Sequence, residues 1–300
     1  MLKETLQADF EQSEKLRLCI LLTCFNRKDK TIECFNRVRA NSLPGNIEVT
    51  AVVVDDGSTD GSADALHSQH PWINIARATG NLYWCKGMHQ AFEIASKSDP
   101  DFYVWLNDDT MLQPDALARL LATERELRTA SGQAVVVVGS TVDETTGLLT
   151  YGGSRRLSAL KRMRFARIQP SDKAQQCDVM NGNLVLVSRE AANIVGNLNP
   201  DFEHAMGDTD YALRANKLGV QVWVAPGVYG TCSNNSIVGT YMDASLPFSR
   251  RWKLMMHKKG LPWKSWLALT RRHAGHAWPL YFVWPYLSLV FGLYKQKKSI

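Results

Sequence analysis

The stretch Tyr103-Val104-Trp105-Leu106-Asn107-Asp108-Asp109-Thr110 decides how this chain folds. An apolar run beginning at Phe102 reads as a buried β-strand and ends abruptly in two carboxylates. Pro114 then opens a helical pattern that runs to about Thr129. Strand, acidic pair, turn and helix set Asp108 and Asp109 at the carboxyl end of a strand, where open α/β sheets bind ligands. Adjacent carboxylates repel unless something positive lies between them. A hard divalent cation, Mg²⁺ above all, takes oxygen ligands there and shares them with substrate phosphates. The plainer use of the pair is to cap the turn before the helix.

Upstream, the pattern repeats. Residues 17–25 form a continuous apolar run, typical of a strand buried on both faces, and end at Thr23-Cys24-Phe25-Asn26-Arg27. A helix is expected from about Asp29 to Ala40. A β-branched strand, Val49 to Val54, ends in Asp55-Asp56-Gly57-Ser58-Thr59-Asp60-Gly61-Ser62, a polar stretch suited to capping a helix near Ser62. Ile73 to Ala76 is a short strand, Gly80-Asn81 a turn, and Lys86 to Ser96 a helix with Met88, Ala91, Phe92 and Ala95 on one face. Alternating strands and helices predict a parallel sheet with right-handed crossovers. No G-x-G-x-x-G follows the first strand and no G-x-x-x-x-G-K-[ST] occurs, so the dinucleotide and P-loop readings lose their main support.

Downstream, Val135 to Gly139 reads as a strand and residues 145–153 as a hairpin. Arg155, Arg156, Lys161, Arg162, Arg164 and Arg167 make a basic stretch, either a solvated loop or a contact for an anionic acceptor. Val179 to Val187 reads as a strand interrupted at Asn181-Gly182-Asn183, where Gly would let a ligand approach the backbone. A helix opens near Asp208 and ends at Gly219, with Asp208 and Asp210 in its first turn, where capping and the helix dipole also favour them. Val220 to Ala225 is a further strand.

Composition divides the chain in two. The hydrophobic fraction of 45% suffices for a real core. Eleven of the 35 Lys/Arg and none of the 29 Asp/Glu fall after Asp243, so a net charge of +6 splits into an acidic body and a basic tail. That tail holds five of the nine Trp. Nucleic acid would explain the charge alone; an anionic membrane surface explains charge and Trp together, and no nucleic-acid partner is expected. Ala277 to Tyr294 is uncharged but interrupted by Pro279, Pro285 and Gly292, which suits an in-plane or shallowly inserted helical segment. The alternative is packing on the rest of the chain or across a homodimer. Met1 to Glu14 has four acids and no apolar core, unlike a signal peptide. Six cysteines without C-x-x-C or zinc spacing suit buried, reduced thiols in the cytoplasm.

Four motifs in order now carry a resemblance. Thr23-Cys24-Phe25-Asn26-Arg27, Val53-Val54-Asp55-Asp56-Gly57-Ser58-Thr59-Asp60, Asn107-Asp108-Asp109 and Gly207-Asp208-Thr209-Asp210-Tyr211-Ala212-Leu213-Arg214 resemble glycosyltransferase family 2, the inverting nucleotide-sugar enzymes, bacterial rhamnosyltransferases among them. The resemblance covers roughly residues 17 to 240. It implies an α/β GT-A fold with a mostly parallel central sheet flanked by helices, over residues 17–243. Residues 17–110 would form the nucleotide half and 111–243 the acceptor half. Residues 1–16 would be a leader and 244–300 a helical basic-aromatic extension. It implies a UDP- or dTDP-sugar donor held by Thr23, Phe25, Arg27, Asp56, Asn81, Lys86 and Asp108. Asp109 would ligate Mg²⁺ or Mn²⁺, and Asp208 would be the general base. The acceptor would be a glycan or lipid-linked saccharide, met at the cytoplasmic face of the inner membrane. The chain departs from the family in three ways: Gly207 stands where an acid is common, Cys232 where a His is common, and Phe248 where the Q-x-x-R-W motif of processive members has Gln. A sugar nucleotidyltransferase is the rival enzyme class, but its Gly-rich basic N-terminal loop is missing. A non-catalytic sugar-nucleotide-binding protein is the other rival, opposed by the joint presence of Asp56, Asp109 and Asp208.

Overall fold

The computed structural model describes residues 15–159 and 161–293. Residues 1–14 of the expected leader and the chain from residue 294, including Tyr294 and Lys295, lie outside the described residues, and Leu16, expected in the leader, opens the first strand. Four strands, β1 (Leu16–Cys24), β2 (Ile47–Asp55), β3 (Ile73–Arg77) and β4 (Phe102–Leu106), pair in parallel in the order β3-β2-β1-β4. Helices α1 (Lys28–Arg39), α2 (Ser62–Gln69) and α3 (Tyr83–Ala95) make the crossovers. Strand β1 shows why the apolar run is unbroken. Leu18, Ile20 and Leu22 pack on one face with Phe35, Leu66 and Leu117, while Cys19 and Leu21 pack on the other with Met88, Trp105 and Tyr211. Both faces are covered, and each such Leu or Ile contributes about 1.5–3 kcal/mol by burial.

Helix α3 begins at Tyr83, three residues before the expected Lys86. The Asp56 carboxylate accepts the backbone N–H groups of Leu82 (3.0 Å) and Tyr83 (2.9 Å), so the helix is started by a side chain 26 residues upstream. A local pattern cannot register such a cap. The turn before it holds Asn81 and Tyr83 at φ of 71° and 59°, a left-handed backbone that the same two bonds help to fix.

The second half is mixed rather than parallel. After β5 (Met111–Leu112) and α4 (Ala116–Ser131) come β6 (Val135–Val142), β7 (Leu149–Tyr151), β8 (Gly153–Arg156), β9 (Phe165–Arg167), β10 (Gln175–Cys177), β11 (Val179–Met180) and β12 (Leu184–Ser188). Strand β12 inserts antiparallel between β4 and β6. Helices α5 (Arg189–Val195) and α6 (Gly207–Lys217) lead to β13 (Gln221–Thr231), parallel to β6. The basic stretch forms a separate three-stranded sheet, β11-β8-β9. Gly182 does approach a neighbour closely, but the neighbour is the indole of Trp84: a Cβ there would lie 2.3 Å from the ring.

The tail forms α7 (Phe248–Met256), α8 (Trp263–His273) and α9 (Trp278–Val290). Its first two helices dock on the α/β body. Arg251 donates to the Tyr241 carbonyl, Leu269 enters the main core, and His273 pairs with Asp210 at 2.8 Å. Trp266 donates to the Tyr281 and Phe282 carbonyls and so ties α9 to α8. At 1.5 Å per residue α9 is about 20 Å long, short of the roughly 30 Å hydrocarbon core. No helix among the described residues is long and apolar enough to cross a membrane.

Candidate active site

The parallel register brings three strand ends to one edge. Cys24 is level with Asp55, and Leu21 with Trp105, so Thr23–Arg27, Asp55–Asp56 and Asn107–Asp109 emerge together. They open into a cleft of about 650 Å³. Of the residues expected from sequence, Thr23, Phe25, Arg27, Asp56, Asn81, Asp108 and Asp109 line it. Lys86 does not; its ammonium lies 3.7 Å from Glu203. Asp208 also stands outside the lining, and it reaches the lining residue Trp84 only through Gly182, whose N–H it accepts.

A single guanidinium organises the acidic pair. Arg27 Nη1 donates to Asp108 Oδ1 at 2.9 Å and to Asp109 Oδ2 at 2.7 Å. Burial opposes the charge on Arg27, but the two carboxylates outweigh burial and hold its pKa above the ordinary value. Burial pushes Asp108 up to about 6 in spite of Arg27, with Asp109 adding repulsion. On its other side Asp109 accepts the Cys232 thiol at 3.4 Å. Burial, then the nearby Asp109 charge, keeps that thiol protonated, its pKa raised to about 12. The pair therefore already attracts a cation. Two adjacent carboxylates at a strand end fit a hard divalent ion that completes its shell with phosphate oxygens. Among the described residues no group of three or more His, Cys, Asp or Glu is placed to hold a metal ion.

Behind this wall, Trp84 Nε1 donates to Asn107 Oδ1 at 2.7 Å. Asp208 is half-buried at the start of α6. Its Oδ2 accepts Gly182 N–H at 3.1 Å and its Oδ1 accepts Thr209 N–H at 2.7 Å. Burial raises its pKa, and the two backbone donors hold back part of that rise. Thr23 spends its hydroxyl on the Val54 carbonyl at 3.0 Å, so it shapes the cleft by its side-chain surface.

Several lining residues escaped the sequence reading: Tyr83, Trp84, His204, Asn235, His257 and Lys259. Tyr83 and Trp84 were hidden by the late helix start. His257 and Lys259 lie in a cluster whose charge pointed to a lipid surface.

The strand-end cleft, its acidic pair and its mixed sheet define an α/β fold of the GT-A type. The model of glycosyl transferase family 2 matches residues 19–193, and the chain belongs to that family. Among solved structures, S. aureus TarS 1-349 superposes with a TM-score of 0.51 at 13% identity, over 73% of this chain and 60% of that one. TarS 1-349 in complex with UDP gives 0.54 and 13%, over 85% and 70%. The mannosyltransferase PcManGT from Pyrobaculum calidifontis, in complex with GDP-Man and Mn2+, gives 0.52 and 17%, over 90% and 71%. At these identities the likeness is one of fold, and the chain spans about 60% of the first TarS structure. No curated protein sequence matches the chain.

Proposed function

We propose that the protein transfers a sugar, with inversion, from a UDP- or dTDP-sugar to a hydroxyl of a glycan. The convergence of Arg27, Asp56, Asp108 and Asp109 on one cleft carries this reading. Asp56 lines the cleft with both oxygens on backbone donors, and a carboxylate oxygen so engaged keeps a second lone pair for a base N–H. Phe25, 54% exposed at the rim, offers a face for the base. Arg27 faces the charge that grows on the diphosphate as the anomeric bond breaks. Asp108 and Asp109 would hold the divalent ion, which when bound supplies electrostatic stabilisation of that leaving group. Asp208 takes the proton from the acceptor hydroxyl as it attacks from the opposite face. A direct displacement needs no protein nucleophile. A donor screen by nucleoside diphosphate release, with a lipid-linked acceptor extract, tests the proposal; no release from any UDP- or dTDP-sugar would count against it.

Asp109→Asn should weaken Mn²⁺ binding at least tenfold, read by the loss of the free-ion EPR signal on titration, with the circular dichroism spectrum unchanged. Wild-type Mn²⁺ affinity in the variant would remove Asp109 from the metal role.

The acceptor is proposed to be lipid-linked and met at the cytoplasmic face of the membrane. Helix α9 supports this, since it turns Leu280, Val283, Trp284, Leu287 and Val290 outward and Phe291 follows them, Leu280 at 74% exposure. Lys253, Lys264 and Arg271 are exposed on the same three-helix tail with no carboxylate within ion-pair distance among the described residues. Anionic vesicles should bind the full chain at low salt and release it as salt rises. The double variant Leu280→Asp, Trp284→Asp should bind them at least tenfold more weakly. Equal binding by the variant, or a dimer that the variant dissolves, would assign this face to a second copy instead.

A further inference from the structure

We infer that the turn His257–Lys259, with His204 beside it, is a phosphate-binding wall that the C-terminal helices lend to the cleft, and that it takes the diphosphate of the nucleotide donor. The inference rests on the nucleotide-sugar reading and adds to it a site from outside the matched family region, which ends at residue 193.

His204, His257 and Lys259 line the same cleft as the acidic pair. Three carboxylates, Asp56, Asp108 and Asp109, face that space, and on their side Arg27 is the cation in the lining. A diphosphate entering the cleft carries at least two further negative charges and needs donors on the wall it meets. The turn is built to supply them. Of its three basic residues the middle one is spoken for: Lys258 pairs with Glu203 at 3.0 Å and lies 5.0 Å from the centre of the Tyr83 ring. Its neighbours His257 and Lys259 are exposed into the cleft, and Lys259 has no carboxylate within ion-pair distance among the described residues. The Tyr83 ring stands edge-on between His204 and His257, 6.1 Å from each.

The backbone holds the turn tightly. Gly260 N–H donates to the His257 carbonyl at 2.8 Å and Leu261 N–H to the Met255 carbonyl at 2.7 Å. A Cβ on Gly260 would lie 2.2 Å from the Leu254 carbonyl oxygen, so only glycine permits this approach. His204 lines the cleft, and its Nδ1, buried here, has no hydrogen-bond partner; a turn of the ring would bring it to a phosphate oxygen. Burial, with Lys259 and His257 adding repulsion, lowers its pKa to about 4, so at neutral pH it recognises phosphate as a neutral imidazole.

The test is calorimetry on the full chain with uridine, UMP and UDP, then the thymidine series, with and without Mn²⁺. The double variant His257→Gln, Lys259→Gln should bind UDP or dTDP at least tenfold more weakly and the bare nucleoside as wild type does. Lys259→Arg should recover much of the loss, and Gly260→Ala should reproduce it with every basic side chain kept. Unchanged diphosphate affinity in the double variant, with wild type binding normally, overturns the wall and leaves the donor reading intact. Wild type that binds no nucleotide overturns both. Geranyl diphosphate separates the two sources of the group. If the variant loses that ligand and keeps UDP and dTDP, the wall serves a lipid-linked acceptor and the donor assignment is wrong.

Discussion

Asp208→Asn is expected to lower turnover by about 10²–10⁴-fold, the range that a positioned general base supplies, while donor affinity stays within about twofold. Asn keeps the shape and one oxygen, so it can still accept one of the two backbone N–H groups, Gly182 or Thr209, that the carboxylate holds. What it cannot do is take a proton. The wild-type carboxyl is suited to that task, because burial raises its pKa and strengthens it as a base. Its Oδ2 accepts from Gly182, which packs on the Trp84 ring, and Trp84 is itself held by Asn107 next to the acidic pair. Steady-state kcat with donor and acceptor both saturating, set against donor affinity by calorimetry, separates the alternatives. If donor affinity collapses and saturated turnover survives, Asp208 caps a helix and binds, and the base must be sought elsewhere.

The first half of the fold was open to sequence reading because its physics is local. A strand buried on both faces needs an unbroken apolar run, and Leu18–Leu22 and Tyr103–Leu106 supply it. The acids that follow could only fall at the strand ends, and with parallel strands those ends share an edge. What stayed hidden depends on contacts distant in sequence. Asp56 starts α3 from 26 residues away. Strand β12 enters antiparallel because the chain has first left the sheet to build β8, β9 and β11. Gly182 was read as room for a ligand and is room for Trp84. The tail was read mainly as a membrane surface, with packing on the body as the alternative; α7 and α8 follow the alternative, while the outer face of α9 keeps the exposed apolar side chains of the first reading. Nothing in the periodicity of residues 244–293 distinguishes the exposed Leu280 from Leu269, which meets the core.

Asp210→Ala is expected to cost about 3–5 kcal/mol of stability, the range for breaking a buried ion pair by removing one partner. Asp210 is fully buried and holds three elements together. It accepts Arg214 Nε at 2.8 Å and His273 Nε2 at 2.8 Å, and Arg272 lies 3.7 Å away. Arg214 in turn reaches the carbonyls of Val195 and Asn197. Removing the carboxylate leaves Arg214 and His273 without their acceptor at a buried point, while the half-exposed Arg272 keeps its access to water. Burial alone would raise the pKa of Asp210, but hydrogen bonds from His273 and Arg214 outweigh it and bring the folded value below the ordinary one. A depressed folded pKa stabilises the native state fully above the unfolded carboxyl value, near pH 4, and the contribution fades as pH falls through the lower folded value. Urea midpoints should therefore fall sharply on acidification below about pH 4 in wild type, and less so in the variant, which has already lost the term. Because His273 is the end of α8, the same substitution should loosen the tail. Tyr286 on α9 donates to the Leu261 carbonyl beside the His257–Lys259 turn, so slackening there should reach the cleft. Limited proteolysis should cut the Asp210→Ala chain within residues 244–293 under conditions that leave the core intact, with diphosphate affinity falling in parallel. A midpoint shift worth less than about 1 kcal/mol, the level of an exposed pair, would mean that hydrophobic packing of Leu269 and Trp266 holds the tail and that Asp210 only satisfies its neighbours.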